Sequence, residues 1–410
     1  MKKILTKSKK INHLHILIAV FLLIIFLTGV YALPTVLRII WVWDFRAGEG
    51  AGILRNMRDL AFVLDTEYRD IHDFGGPALI DKGSYIDLNG LMARAMGQRG
   101  MNGIAKLHNG HLTADGKNTY TAHLELAVDR LRSLNEAQIE KGKSFLFVLS
   151  PGQIPKNEDI FPIGFESNSN LIADLFVSAL RDNNVPVLDM REELIKDGIN
   201  HTEAFYKTDH HWKTETGFWA YIKIVEYMIQ MGIIDPIDSK YTDINEYNVE
   251  IYENWMLGSS GKRTGRFFAG VDDLAMITPR FDTYLSVEIP SKSISKQGDL
   301  AKVGFDESFL VLDFFNAIPY HVYGNAGVDL ARYMNEKAPT DLKILGLGDS
   351  TSIVPFTFLP LVAEQTDHLD LRQFDGKFWE HYLEFDPDMV IVISFTDMPI
   401  NPNTTLEIIE

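Results

Sequence analysis

The sequence contains no cysteine among its 410 residues. Disulfide bonds, thiolate metal sites, a lipid-modified cysteine anchor and a cysteine nucleophile are therefore excluded. Positive charge is also scarce, because 39 Lys and Arg residues stand against 56 Asp and Glu residues and leave a net charge of −17. A chain this acidic repels nucleic acid, so we expect no nucleic-acid partner.

The N-terminal segment joins a lysine-rich tail to a long hydrophobic run. The run spans 16–37, has 22 residues and carries no charge, and Arg38 follows it. About 20 apolar residues suffice to cross a bilayer as a helix, and an excess of lysine marks the cytoplasmic side. A cleaved signal peptide is the alternative, but it prefers a shorter apolar core and a small-x-small cleavage site. We therefore expect 1–38 to be a cytoplasmic tail and single-pass transmembrane anchor in the cell membrane, with the rest of the chain outside the cytoplasm.

The main body alternates amphipathic helices with short apolar strands. Apolar residues at helical spacing predict helices at about 120–140, 168–181, 214–231, 355–365 and 376–385. Short apolar runs predict strands at about 144–150, 185–189, 343–347, 368–372 and 388–394. This alternation is typical of an α/β fold in which helices cover both faces of a mostly parallel sheet.

Two parts of the chain lack this alternation. Residues 39–115 are rich in glycine and charge and show no clear period, so we expect a stem or lead-in region there. Residues 233–335 carry turns and mixed charge, so we expect an insertion with some β-structure. The α/β domain itself is then expected to comprise 116–232 and 336–410.

A sharp turn, Gly348-Asp349-Ser350, follows the predicted strand 343–347. Ligands of open α/β sheets bind beyond the carboxyl ends of the strands, where this turn would present the Ser350 hydroxyl. The serine's own backbone N–H and the N-terminus of the next helix would favour a developing negative charge. Taken alone, the motif also fits an ordinary helix-capping turn.

The segment 206–212 supplies a possible partner for this serine. A serine hydroxyl becomes a nucleophile when an imidazole takes its proton and a carboxylate orients that imidazole. Asp209 and His211 offer both groups, and His210 is the competing imidazole. A solvated polar loop and a metal site are the alternatives. Adjacent side chains generally diverge and no further cluster has metal-site spacing, so we expect neither metal nor cofactor.

Together these motifs resemble those of the SGNH hydrolase superfamily, and more closely those of its DHHW branch and the related alginate O-acetylation proteins. The resemblance covers roughly 120–400. It depends on four short pieces, Asp209-His210-His211-Trp212, Gly348-Asp349-Ser350, Ser150-Pro151-Gly152-Gln153 and Asp370-Leu371-Arg372. It implies a three-layer SGNH fold with Ser350 as nucleophile, His211 as general base and Asp209 as the carboxylate that orients it.

The order of the motifs departs from that of ordinary SGNH enzymes, in which the serine follows the first strand and the Asp/His pair lies near the C-terminus. Here Asp209 and His211 precede Ser350. Two predicted strands come before the Asp/His segment, and three carry or follow the serine. Joining the ends of the chain would restore the usual order, so we expect a circularly permuted SGNH fold, as in the alginate O-acetylation proteins.

The resemblance leaves the second donor of the oxyanion hole open. SGNH proteins usually place an asparagine after the third strand, whereas this chain has Phe-Thr-Asp at 395–397. The candidates for this role are Arg372, Thr396 and Asn401.

Two further features are candidates for substrate binding. Trp212 either lines an acceptor groove, where an aromatic face suits a sugar ring, or packs against the following helix, the interpretation we prefer. The loop 258–266 contains Arg263 and Arg266, whose guanidinium groups suit an anionic polymer or a phosphate. A solvated surface loop is the simpler interpretation of this segment.

The resemblance implies acyl transfer through a seryl ester, with O-acetylation of an exopolysaccharide or cell-wall polymer as the preferred hypothesis. Because acyl-coenzyme A is not available outside the membrane, the donor would be a membrane-bound O-acyltransferase, as the alginate O-acetylation relatives imply. A carbohydrate acetylesterase, with water as the acceptor, is the first alternative. The second is a non-catalytic polysaccharide-binding or assembly protein on a degenerate SGNH scaffold.

Overall fold

A computed structural model describes most of the chain from residue 82 onward. The described ranges are 82–114, 123–156, 160–324, 327–370, 372–374 and 377–395. The predicted anchor, 1–38, lies outside them. Within the described ranges, none of the helices combines the length and the apolar character that crossing a bilayer requires.

The core of the fold is an eight-stranded sheet made of β4 (Ser144–Ser150), β5 (Val187–Asp189), β8 (Leu285–Ile289), β9 (Ile294–Gly298), β10 (Leu330–Met334), β11 (Lys343–Gly348), β12 (Gln365–Asp370) and β13 (Met389–Phe395). The order of the strands across the sheet is β5-β4-β13-β11-β12-β10-β8-β9. The first five strands of this order are parallel to one another, and β10, β8 and β9 add to the β12 edge in antiparallel pairing. The predicted α/β fold with a large, mostly parallel sheet is therefore confirmed.

Helices cover both faces of this sheet. Alternate residues of each strand point to opposite faces, and their side chains pack in two separate hydrophobic clusters. One cluster contains Val148 and Ile393 with Ile224, and the other contains Phe147 and Val392 with Phe176. The resulting order is helix, sheet, helix. The main helices are α2 (Leu124–Glu140), α3 (Ser169–Asp182), α4 (Met190–Lys196), α5 (Thr214–Gln230), α9 (Ile353–Phe358) and α10 (Phe378–Phe385).

Smaller elements lie around this core. A three-stranded sheet consists of β1 (Gly100–Met101), β2 (Ile104–Lys106) and β3 (Leu112–Thr113), and a separate hairpin consists of β6 (Tyr247–Met256) and β7 (Asp272–Pro279). The helices outside this core are α1 (Lys82–Ala95), α6 (Ser259–Thr264), α7 (Arg266–Ala269) and α8 (Leu300–Val303). The segment 233–335, which we expected to be an insertion, thus contributes β8, β9 and β10 to the central sheet.

Two predicted elements differ from the observed ones. The strand predicted at 368–372 corresponds to β12, which begins earlier, at Gln365. The apolar pattern did not predict this first half, because its residues are polar. Thr366 and Asp367 are nevertheless buried there. The helix predicted at 355–365 ends at Phe358, and a short 3₁₀ turn, Leu359–Leu361, follows. Pro360 lies in that turn and has no backbone N–H to continue an α-helix.

Candidate active site

Ser350 lies just beyond β11, on the turn that leads to α9. The strand runs between β12 and β13, so the turn emerges in the middle of the sheet's carboxyl edge. Gly348 is required there, because a Cβ at this position would lie 2.4 Å from the Ser352 Oγ and 2.7 Å from the Ile393 carbonyl oxygen. The side chain of Ser350 itself is partly exposed, and Asp349 beside it is buried.

The buried Asp349 carboxylate holds this turn in place. One of its oxygens accepts hydrogen bonds from the backbone N–H and the hydroxyl of Thr351, at 2.8 and 2.6 Å. The other accepts from the Ser394 hydroxyl at 2.9 Å and from the Phe395 backbone N–H at 3.0 Å. The position of Ser350 is thereby tied to the end of β13.

His211 and Ser350 are 139 positions apart in the sequence but are in contact in the folded chain. The Nε2 atom of His211 lies 2.7 Å from the Ser350 Oγ. The Nδ1 atom is hydrogen-bonded to the Asp209 carboxylate, which also accepts the His211 backbone N–H at 3.1 Å. Asp209, His211 and Ser350 therefore form one continuous hydrogen-bonded chain.

The environment of Asp209 keeps its carboxyl group ionised. Burial alone would raise its pKa, but the adjacent His211 imidazole and the Ser259 backbone N–H, which donates at 2.6 Å, hold the pKa well below its usual range. Gly258 allows this approach, since a Cβ there would lie 2.2 Å from the Asp209 Cβ. A permanent negative charge thus faces the Nδ1 side of His211.

The segment carrying Asp209 and His211 is fixed from several sides. The buried Gln153 side chain donates to the carbonyl oxygens of Tyr206, at 2.8 Å, and Asp209. The Tyr320 ring stacks on the His211 imidazole with centroids 4.4 Å apart and an interplanar angle of 22°. These contacts limit rotation of the imidazole away from Ser350.

His210, the competing imidazole, points elsewhere. Its Nδ1 atom lies 3.1 Å from the Ser259 Oγ, and its half-exposed ring contacts His211 and Phe395. Asp209, His210 and His211 could each offer one ligand atom to a metal ion, since these atoms lie within 4.8 Å of one another. Both carboxylate oxygens of Asp209 already accept hydrogen bonds, however, so an ion there would have to displace the contacts that orient His211.

Ser350 opens onto a cavity of about 340 Å³, and its lining includes the polar residues Asn170, Ser259 and Arg263. Arg372 lies at its border, and its guanidinium donates to the two oxygens of Asp370 at 2.8 and 2.5 Å. That pairing raises the pKa of Arg372. Arg263 also lines the cavity and is steadied by donation to the Asn102 carbonyl oxygen at 2.5 Å. The structure thus places two of the predicted binding arginines at the site.

Two other predicted binding residues, Trp212 and Arg266, do not line this cavity. Trp212 is fully buried in the hydrophobic core, so it packs as we preferred and cannot line an acceptor groove. Arg266 donates to the buried Asp87 carboxylate at 2.6 and 2.8 Å, which occupies its guanidinium. Thr396 and Asn401 lie outside the described residues.

Arg191, which no motif indicated, also lines the cavity, and its guanidinium is largely buried. Its side chain donates to Asp189 at 2.6 Å, and a second carboxylate, that of Asp174, lies 3.0 Å away. The local pattern matches that of Arg372, because each arginine comes two residues after an aspartate at the end of a parallel strand. The repeated Asp-x-Arg spacing was the signal available in the sequence.

Comparisons with known proteins bear on the fold. No family model and no curated protein matches the sequence. The structure of Bacillus cereus PatB1 with a sulfonyl adduct is similar with a TM-score of 0.58 at 17% identity, covering 72% of this chain and 94% of that chain. A DHHW family protein from Eubacterium siraeum is similar with a TM-score of 0.54 at 15% identity, covering 76% of this chain and 95% of that chain. The chain has their fold, and the likeness to the DHHW branch that the motifs predicted is confirmed at that level.

Proposed function

We propose that this protein is a serine-dependent O-acetyltransferase that carries its acyl group as an ester on Ser350. The observation that carries the proposal is the hydrogen-bonded chain from Asp209 through His211 to Ser350, which ends at a cavity open to ligands. This arrangement supplies a nucleophile, a base and a carboxylate that orients the base.

In the first half of the reaction, the Ser350 Oγ attacks the carbonyl carbon of an acyl ester donor. His211 Nε2 takes the hydroxyl proton as the new C–O bond forms, and Asp209 stabilises the resulting imidazolium. The tetrahedral intermediate collapses by breaking the bond to the donor oxygen. That oxygen leaves with the proton from His211, and the acyl group remains on Ser350.

In the second half, a hydroxyl group of the acceptor attacks the seryl ester. His211 removes the acceptor's proton while the new ester bond forms, and it returns the proton to the Ser350 Oγ when the seryl ester breaks. Water in place of the acceptor gives hydrolysis by the same steps. Polar residues such as Asn170, Ser259 and Arg263 in the cavity lining suit a hydroxylated acceptor, and we take a polysaccharide as the acceptor class.

Negative charge develops on the carbonyl oxygen in both halves of the reaction. The Ser350 backbone N–H is one candidate donor to this oxygen, since Ser350 is presented on a sharp turn after β11. Arg372 is the second candidate, because its guanidinium borders the cavity beside Ser350. Two fixed donors of this kind supply most of the stabilisation that an acyl-transfer site needs.

The fold and a relative's chemistry support the same proposal. PatB1 has this fold, and one of its structures carries a sulfonyl adduct. We take the formation of such an adduct as a model for the transfer of an acyl group from its donor to Ser350. The permuted order of motifs that we infer from the sequence is consistent with the observed strand order, in which β4 and β5 precede the Asp/His segment and β11, β12 and β13 follow it.

Labelling with a sulfonyl fluoride or fluorophosphonate probe tests the proposal directly. Wild-type protein should form one adduct on the peptide containing Ser350, Ser350→Ala should form none, and His211→Ala should react far more slowly. Ser295→Ala, which changes an exposed serine on β9, is the matched control and should label normally. Labelling that persists in Ser350→Ala would refute the assignment. A wild-type protein that does not label at all would favour a non-catalytic polysaccharide-binding role.

The partial exposure of Ser350 makes a carbohydrate acetylesterase the second candidate, because water can reach the seryl ester. The two functions share the chemistry of Ser350 and differ only in the acceptor. Acetyl release and acetyl transfer should therefore be measured together, with an acetyl ester donor and an oligosaccharide acceptor. Transfer that exceeds release supports the acetyltransferase, whereas release that the acceptor does not suppress supports the esterase.

The proposed location is the outer side of the cell membrane, with a membrane-bound O-acyltransferase supplying the acyl group. The support is the hydrophobic run at 16–37 with the lysines that precede it. Fractionation and protease digestion of intact cells test this part separately. A protein that stays in the soluble fraction, or that external protease never reaches, would contradict it without affecting the chemistry of Ser350.

A further inference from the structure

Tyr320 packs its ring against the imidazole that becomes charged in the proposed mechanism. The ring centroids of Tyr320 and His211 are 4.4 Å apart and the interplanar angle is 22°, so the face of the phenol ring covers the face of the imidazole. Tyr320 lies in a short 3₁₀ helix, Pro319–Val322, and is only 1% exposed. No step of the proposed proton transfers uses this side chain, so its position calls for a separate explanation.

The Tyr320 ring is supported on other sides by two residues of the segment 206–212. The Tyr206 ring meets it in a T-shaped arrangement, with centroids 6.2 Å apart and an interplanar angle of 88°. The indole N–H of Trp212 interacts with the Tyr320 hydroxyl, although neither group has a well-aligned hydrogen-bond partner among the described residues. Trp212 therefore supports the ring that covers the His211 imidazole.

The covered imidazole changes its charge twice in each turnover. His211 becomes an imidazolium when it takes the Ser350 proton, and again when it takes the proton of the acceptor. The face of an aromatic ring carries partial negative charge and attracts a cation above it, more strongly where water is excluded. The contact is therefore stronger with the imidazolium than with the neutral imidazole. An interaction that strengthens as the transition state forms raises kcat.

We propose that Tyr320 is a positioning residue for acyl transfer, and that the face of its ring stabilises the imidazolium form of His211 through a cation–π interaction. The inference rests on the proposed function of Ser350, because the proton transfers of that reaction are what charge His211. Asp209 balances the same charge from the Nδ1 edge of the imidazole, whereas Tyr320 acts on its face. The two contributions can therefore be removed independently.

The groups around this contact leave His211 as the ring that carries the positive charge. Burial raises the pKa of Tyr320 well above its usual range, so its ring stays a neutral phenol. The His210 ring also packs on His211, with centroids 4.0 Å apart. Burial and the neighbouring His211 lower the pKa of His210 to about 4. His210 thus adds no positive charge beside the imidazolium at pH 7.

Fluorine substitution on the ring tests this role at nearly constant shape, because each fluorine withdraws negative charge from the ring face. The variants are Tyr320→Phe and the same position with mono-, di- and trifluorophenylalanine. The measurement is Ser350-dependent hydrolysis of p-nitrophenyl acetate. Tyr320→Phe should keep kcat within about threefold of the wild type, because the ring face remains. The fluorine series should then lower kcat stepwise, by about tenfold in all, with KM unchanged.

Two controls separate this role from general packing. Phe218 is as well buried as Tyr320, at 2% exposed, and its ring contacts Tyr221, Tyr247 and Phe358. The same fluorine series at position 218 should leave kcat unchanged. Tyr320→Leu removes the aromatic face altogether and should lower kcat by about tenfold or more.

The outcomes distinguish this inference from the proposed function. A wild-type protein without Ser350-dependent hydrolysis would overturn both. Ser350-dependent hydrolysis with the same kcat throughout the fluorine series at position 320 would overturn the cation–π role alone. A loss of about tenfold in Tyr320→Phe itself, or an effect confined to KM, would also overturn it, because the hydroxyl or substrate binding would then be responsible. If Tyr320→Leu does not fold, the fluorine series, which hardly changes the volume of the ring, still decides.

Discussion

The Asp349 carboxylate accepts the backbone N–H of Phe395 at 3.0 Å and so joins the turn that carries Ser350 to the end of β13. The two residues belong to neighbouring parallel strands or their ends, and 46 positions of sequence separate them. Since the same carboxylate also holds Thr351, the turn cannot tilt without breaking a contact on one side or the other. The reactive position of Ser350 therefore depends on a residue that takes no part in the proposed proton transfers.

Asp349→Asn tests this dependence with almost no change in volume. Four donors now reach the carboxylate, and an amide presents one oxygen and one NH₂ group, so at least one buried donor is left without an acceptor. An unsatisfied buried group costs about 1–3 kcal/mol. We expect the rate of probe labelling at Ser350 to fall by about 10- to 100-fold, on the scale of 1.4 kcal/mol for each factor of ten.

The control for this experiment is Asp87→Asn. Asp87 is as deeply buried and also accepts several hydrogen bonds, but its partner is Arg266, away from the cavity around Ser350. The melting temperature of both variants should be lower than that of the wild type. Only Asp349→Asn should lose labelling rate, and equal losses of labelling in the two variants would show that general destabilisation, not the position of Ser350, is responsible.

Asp209→Asn is expected to lower kcat of the acetyl ester reaction by about 10³- to 10⁴-fold, because an amide cannot stabilise the imidazolium and can favour the wrong imidazole tautomer. The difference in stability between the wild type and this variant should also depend on pH. The pKa of Asp209 is depressed in the folded protein, so its contribution to stability is present above the unfolded value, about 3.9, and is lost as pH falls towards the folded value.

Thermal unfolding of the wild type and Asp209→Asn at pH 7 and pH 3 checks this sign. The gap in melting temperature should be larger at pH 7 and should narrow at pH 3. A gap that widens on acidification would mean that Asp209 is not held in its ionised form by the fold.

Burial of His368 predicts a second loss of stability on acidification, which begins at a higher pH than that of Asp209. Its folded pKa is about 4, whereas an unfolded histidine titrates near about 6.5, so the unfolded chain binds the proton first as pH falls. Stability should therefore decline between about pH 6.5 and pH 4, by about 2 kcal/mol from pH 7 to pH 5 for this residue. Urea unfolding of the wild type and His368→Gln at the two pH values measures it. The variant should be less stable at pH 7 but should lose less on acidification, and equal losses would contradict the prediction.

The sequence pattern predicted the sheet where the strands are apolar and failed where they are polar. β4 and β13 are continuous apolar runs and were predicted within one residue at each end. The first half of β12 is polar, and its Asp367 carboxylate has partners elsewhere in the fold, Arg332 and His381. No local pattern reveals such a partner, because it becomes a neighbour only when the sheet forms.

The same reasoning applies to the candidate site. Ser350, His211 and Asp209 could be proposed because their chemistry and order match a known constellation. Asp349 and Tyr320 could not, because their roles consist of contacts with Phe395 and His211 that only the folded chain creates. Trp212 shows the opposite problem, since an aromatic residue beside a catalytic motif suggests a sugar site until its burial is known.

The two Asp-x-Arg pairs are expected to differ in what their arginines do. Arg372 is partly exposed in the cavity beside Ser350, whereas Arg191 is largely buried between Asp189 and Asp174. Arg372→Lys should lower kcat by about 10²-fold or more with little change in melting temperature, because lysine cannot both bind Asp370 with two hydrogen bonds and direct a donor at the carbonyl oxygen. Arg191→Lys should mainly lower the melting temperature, because it weakens a buried ion pair. Kinetics with an acetyl ester and thermal unfolding of both variants give the two readouts. If Arg372→Lys instead raises KM and leaves kcat intact, Arg372 binds the substrate's ground state and does not stabilise the oxyanion.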